Sequence, residues 1–136
     1  MTQVFVDTIY WIAITRPGDQ WQAAALKARE ELTPEPRLIT TDEVLTEFLA
    51  GLSAGGATMR TKACEMVHAI LNNSDVQVLA QSRQSFLSGI SLYNARPDKE
   101  YSLVDCISMS QMKNLGIRDV LTHDTHFTQE GFNILM

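Results

Sequence analysis

Single acidic residues recur in this chain at the points where a predicted strand gives way to a helix. Asp7 directly follows the apolar run Val4-Phe5-Val6, and Asp124 comes shortly after Leu121. In open α/β sheets, the carboxyl ends of the strands meet at one edge, and ligands bind in the crevice there. We therefore expect Asp7 and Asp124 to face one another across that crevice.

Two further carboxylates lie just inside predicted helices. Glu47 stands on the border of an apolar stripe, where a charged group is unfavourable unless a counterion compensates it. Asp105 falls in the first turn of the last long helix, where the helix dipole favours negative charge. Four carboxylates crowded at one sheet edge would repel one another and raise their own pKa values. A hard divalent cation removes that penalty, and ligand sets made only of oxygen select Mg²⁺ or Mn²⁺ over zinc.

Each of these acids also has a purely structural interpretation. Asp7 and Asp124 could be N-caps of the helical segments that follow them. Asp105 could complete a capping box with Ser102. Glu47 could be a solvated residue on the flank of its helix. The metal interpretation gains weight only when the acids are considered together, because all of them fall where one sheet edge would collect them.

The elements that would position these acids are those of an α/β protein. Short apolar or β-branched runs alternate with longer stretches of helical periodicity, the pattern of parallel strands joined by crossover helices. The predicted strands are residues 4–6, 38–40, 76–79 and 120–122, with 132–135 as an edge strand. The predicted helices are residues 21–32, 42–52, 59–71, 82–93 and 103–115. Thr40 and Glu43 have the spacing of a capping box at the start of the second helix.

Length and charge limit the class of protein further. The chain has 136 residues and a formal net charge of -5, so we expect one domain over residues 1–136 and no overall positive field that would attract nucleic acid. A phosphate ligand would have to be held locally or through a metal. The first apolar stretch is broken at Asp7, and no apolar run approaches the roughly 20 residues of a membrane span. We therefore expect a cytoplasmic protein without a membrane segment.

Four segments, in this order along the chain, carry a family resemblance. They are Phe5-Val6-Asp7-Thr8, the stretch 40–48 (TTDEVLTEF), the stretch 101–106 (YSLVDC) and the stretch 121–127 (LTHDTHF). Together they resemble the PIN-domain nucleases, in particular the VapC-like toxins of bacterial toxin-antitoxin pairs. Their order and spacing, and the total length of the chain, agree with a minimal PIN domain.

The resemblance implies a three-layer α/β/α fold with a parallel central sheet of about four or five strands. It also implies that an acidic quartet binds Mg²⁺ or Mn²⁺. Carried over by position, the quartet is Asp7, Glu47, Asp105 and Asp124. Thr8 and Ser102 match positions that help to orient a ligand or water, and Asp98 could add a carboxylate near the site.

The function implied by the resemblance is a metal-dependent endoribonuclease that leaves 5′-phosphate and 3′-hydroxyl ends. An RNA substrate, a homodimer and a cognate antitoxin protein are implied with it. Basic residues in or near predicted loops could contact RNA phosphates; they are Arg16, Arg60, Lys62, Arg96 and Lys99. Two alternatives remain open. One is an Asp-based phosphatase or phosphoacceptor, although Asp7-Thr8-Ile9 lacks the second Asp expected there; the other is a catalytically inactive PIN-like binding module.

Overall fold

A five-stranded parallel sheet forms the centre of the structure, a computed structural model that describes residues 2–136. The strands are β1 (Gln3–Val6), β2 (Arg37–Thr41), β3 (Val76–Leu79), β4 (Asp119–Leu121) and β5 (Asn133–Ile134). Their order across the sheet is β3-β2-β1-β4-β5, and every neighbouring pair is parallel. The chain moves outward from β1 to β3 and then returns to the other side of β1. The switch in strand order therefore lies between β1 and β4, where a ligand crevice is expected.

Helices cover both faces of this sheet. They are α1 (Thr8–Thr15), α2 (Gln22–Glu30), α3 (Asp42–Leu52), α4 (Ala57–Asn72), α5 (Arg83–Ala95), α6 (Leu103–Leu115) and α7 (Thr125–Gln129). Val4, Phe5 and Val6 are all fully buried, and successive side chains of a strand point to opposite faces. Both faces are therefore covered, and the predicted three-layer α/β/α fold is confirmed. Within residues 2–136, no helix has the length and apolar character needed to cross a membrane.

The five predicted strands and five predicted helices are all present, with ends that differ by no more than about two residues. Two helices were not predicted. Helix α1, with the sequence TIYWIAIT, is rich in β-branched and aromatic residues that disfavour a helix. It forms because Tyr10, Trp11 and Ala13 are buried in the core. Helix α7 has five residues, too few to show a helical period.

The predicted capping box at Thr40 is wrong. The N-cap of α3 is Thr41, whose Oγ1 accepts a hydrogen bond from the Val44 amide at 3.0 Å. Thr40 is fully buried; its hydroxyl donates to the Val6 carbonyl at 2.9 Å and accepts from the Trp11 indole at 3.3 Å. Thr40 therefore joins β2 to β1 and α1, and the N-cap lies one residue later than the predicted capping box places it, although α3 spans the predicted residues 42–52.

Helices α5 and α6 pack closely at Gly89, and α6 carries Asp105. A Cβ atom on Gly89 would lie 2.4 Å from Cγ1 of Ile107 and 3.2 Å from its amide nitrogen. We expect Gly89→Ala to lower the free energy of unfolding by about 1–3 kcal/mol, the usual effect of overpacking. Urea denaturation measures the change.

The matched control is Gly51→Ala, also within a helix. Its Cβ would meet only the flexible end of Ile12, with Cδ1 at 2.9 Å, and alanine favours the helix. We expect Gly51→Ala to be close to neutral. Equal stability of the two variants would contradict a rigid contact between α5 and α6.

Candidate active site

The four predicted acids lie at the carboxyl edge of the sheet, around the switch in strand order. Asp7 is the first residue after β1, and Asp124 follows β4. Asp105 is in the first turn of α6, and Glu47 is in the middle of α3. The charges of Asp105 and Glu47 both act on Asp7, and those of Asp105 and Asp124 both act on Glu47. The structure thus brings all four carboxylates into one acidic cluster.

Asp7 is the most deeply buried member of the acidic cluster, with 3% of its surface exposed. It occupies the N-cap position of α1, but its side chain makes no capping hydrogen bond. Its Oδ2 instead accepts a hydrogen bond from the Thr122 hydroxyl at 3.0 Å. Burial, followed by the negative charge of Asp105, raises the pKa of Asp7 to about 7. The carboxylate therefore has no capping role and is unfavourable in its ionised form.

Asp105 combines a structural role with a place in the acidic cluster. Its amide donates to Ser102 Oγ, and the Ser102 amide donates back to Asp105 Oδ2, each at 3.0 Å. The predicted capping box is therefore present. Burial raises the pKa of Asp105, and the charge of Asp124 raises it further, against the lowering effect of the Ser102 amide. Because the cap uses Oδ2, it is compatible with a ligand at Oδ1.

Asp124 and His126 complete the tightest part of the acidic cluster. Asp124 is the N-cap of α7, and its Oδ1 accepts from the His126 amide at 2.9 Å. The His126 Nδ1 lies 3.3 Å from Asp105 Oδ2 and 3.4 Å from Asp124 Oδ1. One ligand atom from each of these three residues lies within 4.8 Å of the other two. His126 was not among the site residues expected from the sequence.

Glu47 is half-buried and is held by Thr8. The Thr8 hydroxyl donates to Glu47 Oε1 at 2.5 Å. Burial raises the pKa of Glu47, the Thr8 hydrogen bond lowers it, and the charges of Asp105 and Asp124 raise it again. Glu47 is therefore not simply a solvated residue on the flank of α3, and the Thr8 hydroxyl orients its carboxylate.

Thr122 links two members of the acidic cluster and was not predicted from the sequence. It is fully buried, donates to Asp7 Oδ2, and accepts from the Asp124 amide at 3.1 Å. The register of β1 and β4 pairs Val6 with Leu121, so the next residues along each strand, Asp7 and Thr122, are neighbours. A hydroxyl at the end of an apolar strand was the only signal in the sequence, since a buried hydroxyl needs a partner.

The structure pairs Asp98 with Lys99 and not with the acidic cluster. Asp98 is exposed, and its Oδ2 lies 3.3 Å from the Lys99 ammonium. Arg60 and Lys62, expected in or near loops, lie near the start of α4, beside the turn that precedes it. The Arg60 guanidinium donates to the Ser53 carbonyl at 3.1 Å.

A hydrogen-bond network around Glu130, the residue after α7, joins it to the residue after α5 and to α6. Arg96 donates to both oxygens of Glu130 at 2.9 and 2.8 Å, and Tyr101 and Lys113 also donate to it. The Glu130 side chain is 5% exposed. Its hydrogen bonds, of which the one from Arg96 has the largest effect, lower its pKa to about 2. Tyr101 also packs against the His126 ring, with centroids 5.5 Å apart. Arg96, expected at the surface to meet phosphates, is thus a structural residue.

The donor set of the acidic cluster fits a divalent cation. Within residues 2–136, no Lys or Arg forms a salt bridge with any of the four acids. The pKa values of Asp7, Glu47 and Asp105 are all raised, first by burial, so the fully ionised cluster is unfavourable without a counterion. Carboxylate oxygens with one nearby imidazole suit Mg²⁺ or Mn²⁺.

Comparison with known protein structures finds several that share this fold. The chain is 24% identical to VapC20 of Mycobacterium tuberculosis, a sarcin-ricin loop cleaving toxin, with a TM-score of 0.83 over 95% of each chain. It is 12% identical to a chain of VapBC2 from Rickettsia felis bound to a DNA fragment from their promoter, with a TM-score of 0.71 over 98% of this chain and 97% of that one. For FitAcB of Neisseria gonorrhoeae the identity is 15% and the TM-score 0.69, over 98% and 96% of the two chains.

Comparison of the sequence with protein families and with curated proteins finds one matching family and no similar curated protein. No curated protein is significantly similar to the chain. The family model described as PIN domain matches residues 4–132 and so spans all four acids of the cluster. Since that match covers nearly the whole chain and the sheet and helices agree with solved VapC structures, the chain belongs to the PIN-domain family.

Proposed function

We propose that the protein is a divalent-metal-dependent endoribonuclease and the toxin of a toxin-antitoxin pair. The observation that supports this most strongly is the acidic cluster itself: Asp105, Asp124 and His126 offer ligand atoms within 4.8 Å, beside a buried Asp7. Such a cluster weakens the fold unless a cation joins it. Uncompensated charge of this kind is typical of functional sites.

Asp7 and Asp105 are the principal metal ligands in this proposal, and Glu47 and Asp124 complete the site directly or through water. When bound, Mg²⁺ or Mn²⁺ would neutralise the charge that develops on the phosphate in the transition state. The hydroxyls of Thr122 and Thr8 fix the orientation of the Asp7 and Glu47 carboxylates.

The remaining chemical task is to accept a proton from the water that attacks the phosphate. A carboxylate with a raised pKa is a better base near neutral pH than an ordinary one. One acid of the cluster takes this role. The bond between the phosphorus and the 3′ oxygen breaks, and the 3′ oxygen leaves with its electron pair. Attack by water at the phosphorus in this sense produces 5′-phosphate and 3′-hydroxyl ends.

A cleavage assay tests the proposal. Single-stranded and hairpin RNAs are incubated with the purified protein in Mn²⁺, in Mg²⁺ and in EDTA, and the product ends are determined. We expect cleavage with either cation, no cleavage in EDTA, and 5′-phosphate ends. Cleavage that continues in EDTA would overturn the metal dependence. RNA binding without cleavage would favour the inactive binding module, and hydrolysis of a small phosphate ester would favour the phosphatase.

Metal binding also has a stability readout that does not require activity. We expect millimolar Mg²⁺ or Mn²⁺ to raise the thermal midpoint of the wild type by several degrees, because a ligand at 100 times its Kd stabilises the folded state by about 2.7 kcal/mol. Asp105→Asn should reduce this shift, and Asp75→Asn, at an exposed acid that precedes β3, should retain it. Equal shifts in wild type and Asp105→Asn would contradict a metal site at the acidic cluster.

An antitoxin partner is part of the same proposal. VapBC2 and FitAcB, which share this fold, support it. A partner segment that carries an Arg could pair with the carboxylates in place of the metal, since guanidinium groups bind carboxylates in a bidentate manner. We also propose a homodimer, which size-exclusion chromatography with light scattering would test.

A further inference from the structure

An open cavity of about 410 Å³ adjoins the acidic cluster. Its lining comes from α1, from the turn between α1 and α2, and from the residue after Thr122; it includes Ile9, Ile12, Arg16, Trp21 and His123. Ile9 follows Thr8 in the chain, and His123 precedes Asp124. Residues next to Thr8 and Asp124 in the chain thus line the cavity, so a ligand that extends from the cavity would reach the acidic cluster within a short length of chain.

Two stacked aromatic rings line this cavity. The rings of Trp21 and His123 are nearly parallel, at 20°, with centroids 3.9 Å apart, and both residues are partly exposed. Trp21 is fixed at the start of α2 because its amide donates to Asp19 Oδ1 at 2.8 Å. The chain's other tryptophan, Trp11, is buried. The Trp21–His123 pair is therefore an aromatic platform that solvent can reach.

A guanidinium group is held at the same cavity. Arg16 donates through Nε and Nη2 to Asp19 Oδ2 at 3.2 and 2.9 Å. The Arg16 side chain is 50% exposed, whereas that of Asp19 is 6% exposed. Asp19 thus orients Arg16 and leaves half of its surface free. A cation is notable beside an acidic cluster in a chain with a net charge of -5.

We propose that this cavity binds an unpaired base of an RNA substrate, which extends the Trp21–His123 stack while Arg16 contacts a neighbouring phosphate. The inference rests on the proposed nuclease function and adds to it a preference for single-stranded RNA. Aromatic rings stack on unpaired bases of any sequence, and specific proteins read RNA mostly at such splayed bases. A planar platform with an adjacent guanidinium suits a nucleotide better than it suits an aliphatic peptide side chain.

Tryptophan fluorescence tests the proposal in the wild-type protein. RNA is titrated in EDTA, where the proposed nuclease leaves it intact, and the emission of Trp21 is followed against the buried Trp11. We expect a single-stranded 12-mer to quench the emission and a duplex of the same sequence to quench it far less. Trp21→Ala should weaken binding of the single strand by about 5- to 150-fold, the range for the loss of one stacked base, and Trp21→Phe should retain most of it.

Two further variants distinguish the effect of base stacking on RNA binding from the effect of a disturbed α2 and from that of the Arg16 charge. Leu26→Ala changes an exposed residue of the same helix and should bind RNA as the wild type does. Arg16→Ala should reduce the salt dependence of binding by about one phosphate contact. Unchanged RNA affinity in Trp21→Ala would overturn the proposal.

The test also distinguishes failure of this inference from failure of the proposed function. Metal-dependent cleavage that is equally fast in wild type and Trp21→Ala, without quenching by RNA, would leave the nuclease and remove the base-binding cavity. Quenching by RNA in a protein that never cleaves it would support the base-binding cavity and remove the nuclease. Quenching by a cognate antitoxin peptide, and not by RNA, would assign the cavity to the protein partner and overturn the inference.

Discussion

We expect Asp105→Asn to lower the rate of the proposed metal-dependent RNA cleavage by about 100-fold or more, because a bound cation would supply several kcal/mol of charge stabilisation in the transition state. The amide oxygen of Asn can still accept the hydrogen bond from the Ser102 amide, so the cap of α6 is preserved. The loss should therefore come without unfolding. Initial rates at saturating Mn²⁺, with circular dichroism to check the fold, measure the effect.

The same experiment includes a matched control and two related variants. Asp75→Asn makes the same chemical change at an exposed acid at the amino end of β3, opposite the cluster, and should cleave at the wild-type rate. Asp7→Asn should lose cleavage to the same extent as Asp105→Asn, and Thr122→Val should lose less, because Thr122 only orients Asp7. Wild-type cleavage by both Asp7→Asn and Asp105→Asn would remove the site assignment.

The free energy of unfolding of the metal-free protein should fall as the pH rises from about 4 to about 7. Burial raises the pKa of Asp7 from 3.8 to about 7. Between these values the folded state keeps a proton that the unfolded chain has released, so stability decreases as the pH rises. A difference of about three pKa units corresponds to roughly 4 kcal/mol. The loss is complete once the pH exceeds the folded pKa of Asp7.

Asp7→Asn should remove most of this pH dependence. In EDTA at pH 8 the variant should be more stable than the wild type by a few kcal/mol, and at pH 4 the two should be nearly equal. Urea denaturation at several pH values measures the difference, with Asp75→Asn as the control that follows the wild type. Millimolar Mg²⁺ should narrow or reverse the difference at pH 8, because only the wild type keeps the full ligand set. A wild-type stability that is flat between pH 4 and 7 would contradict the prediction.

The Glu130 network acts in the opposite direction at lower pH. Its hydrogen bonds, that from Arg96 first, hold the pKa of Glu130 at about 2, so the network contributes stability above the ordinary pKa of 4.5 and loses it as the pH falls toward 2. Together, the acidic cluster and this network predict that the free energy of unfolding of the metal-free protein is highest near pH 4 to 5. The protein therefore carries its destabilising charges at the candidate site and compensates them elsewhere in the fold.

The positions of the four acids followed from local patterns in the sequence. Short continuous apolar runs such as Val4-Phe5-Val6 mark strands that are buried on both faces, and the helical period marks α3 and α6, whose predicted limits agree with the structure. Asp7 and Asp124 fall just after strands, so a parallel sheet must place them at the same edge. Glu47 and Asp105 lie just inside predicted helices, and the four PIN-like segments then implied that all four acids form one quartet.

The partners of those acids depended on contacts between distant parts of the chain. Thr122 reaches Asp7 across 115 positions because the register of β1 and β4 makes them neighbours. Helix α1 opposes its own helix propensity and forms because the core buries it. Trp21 and His123 stack only after α2 and β4 have packed.

The sequence by itself determined the α/β order, the strand ends and the residues that meet at one edge of the sheet, because periodicity and turn-forming residues act over a few positions. The tertiary structure decided which hydroxyl orients each carboxylate, that His126 joins the acidic cluster, and that an aromatic platform borders it. These contacts depend on strand register and helix packing, which are set by the burial of the whole core and not by any local stretch of the chain.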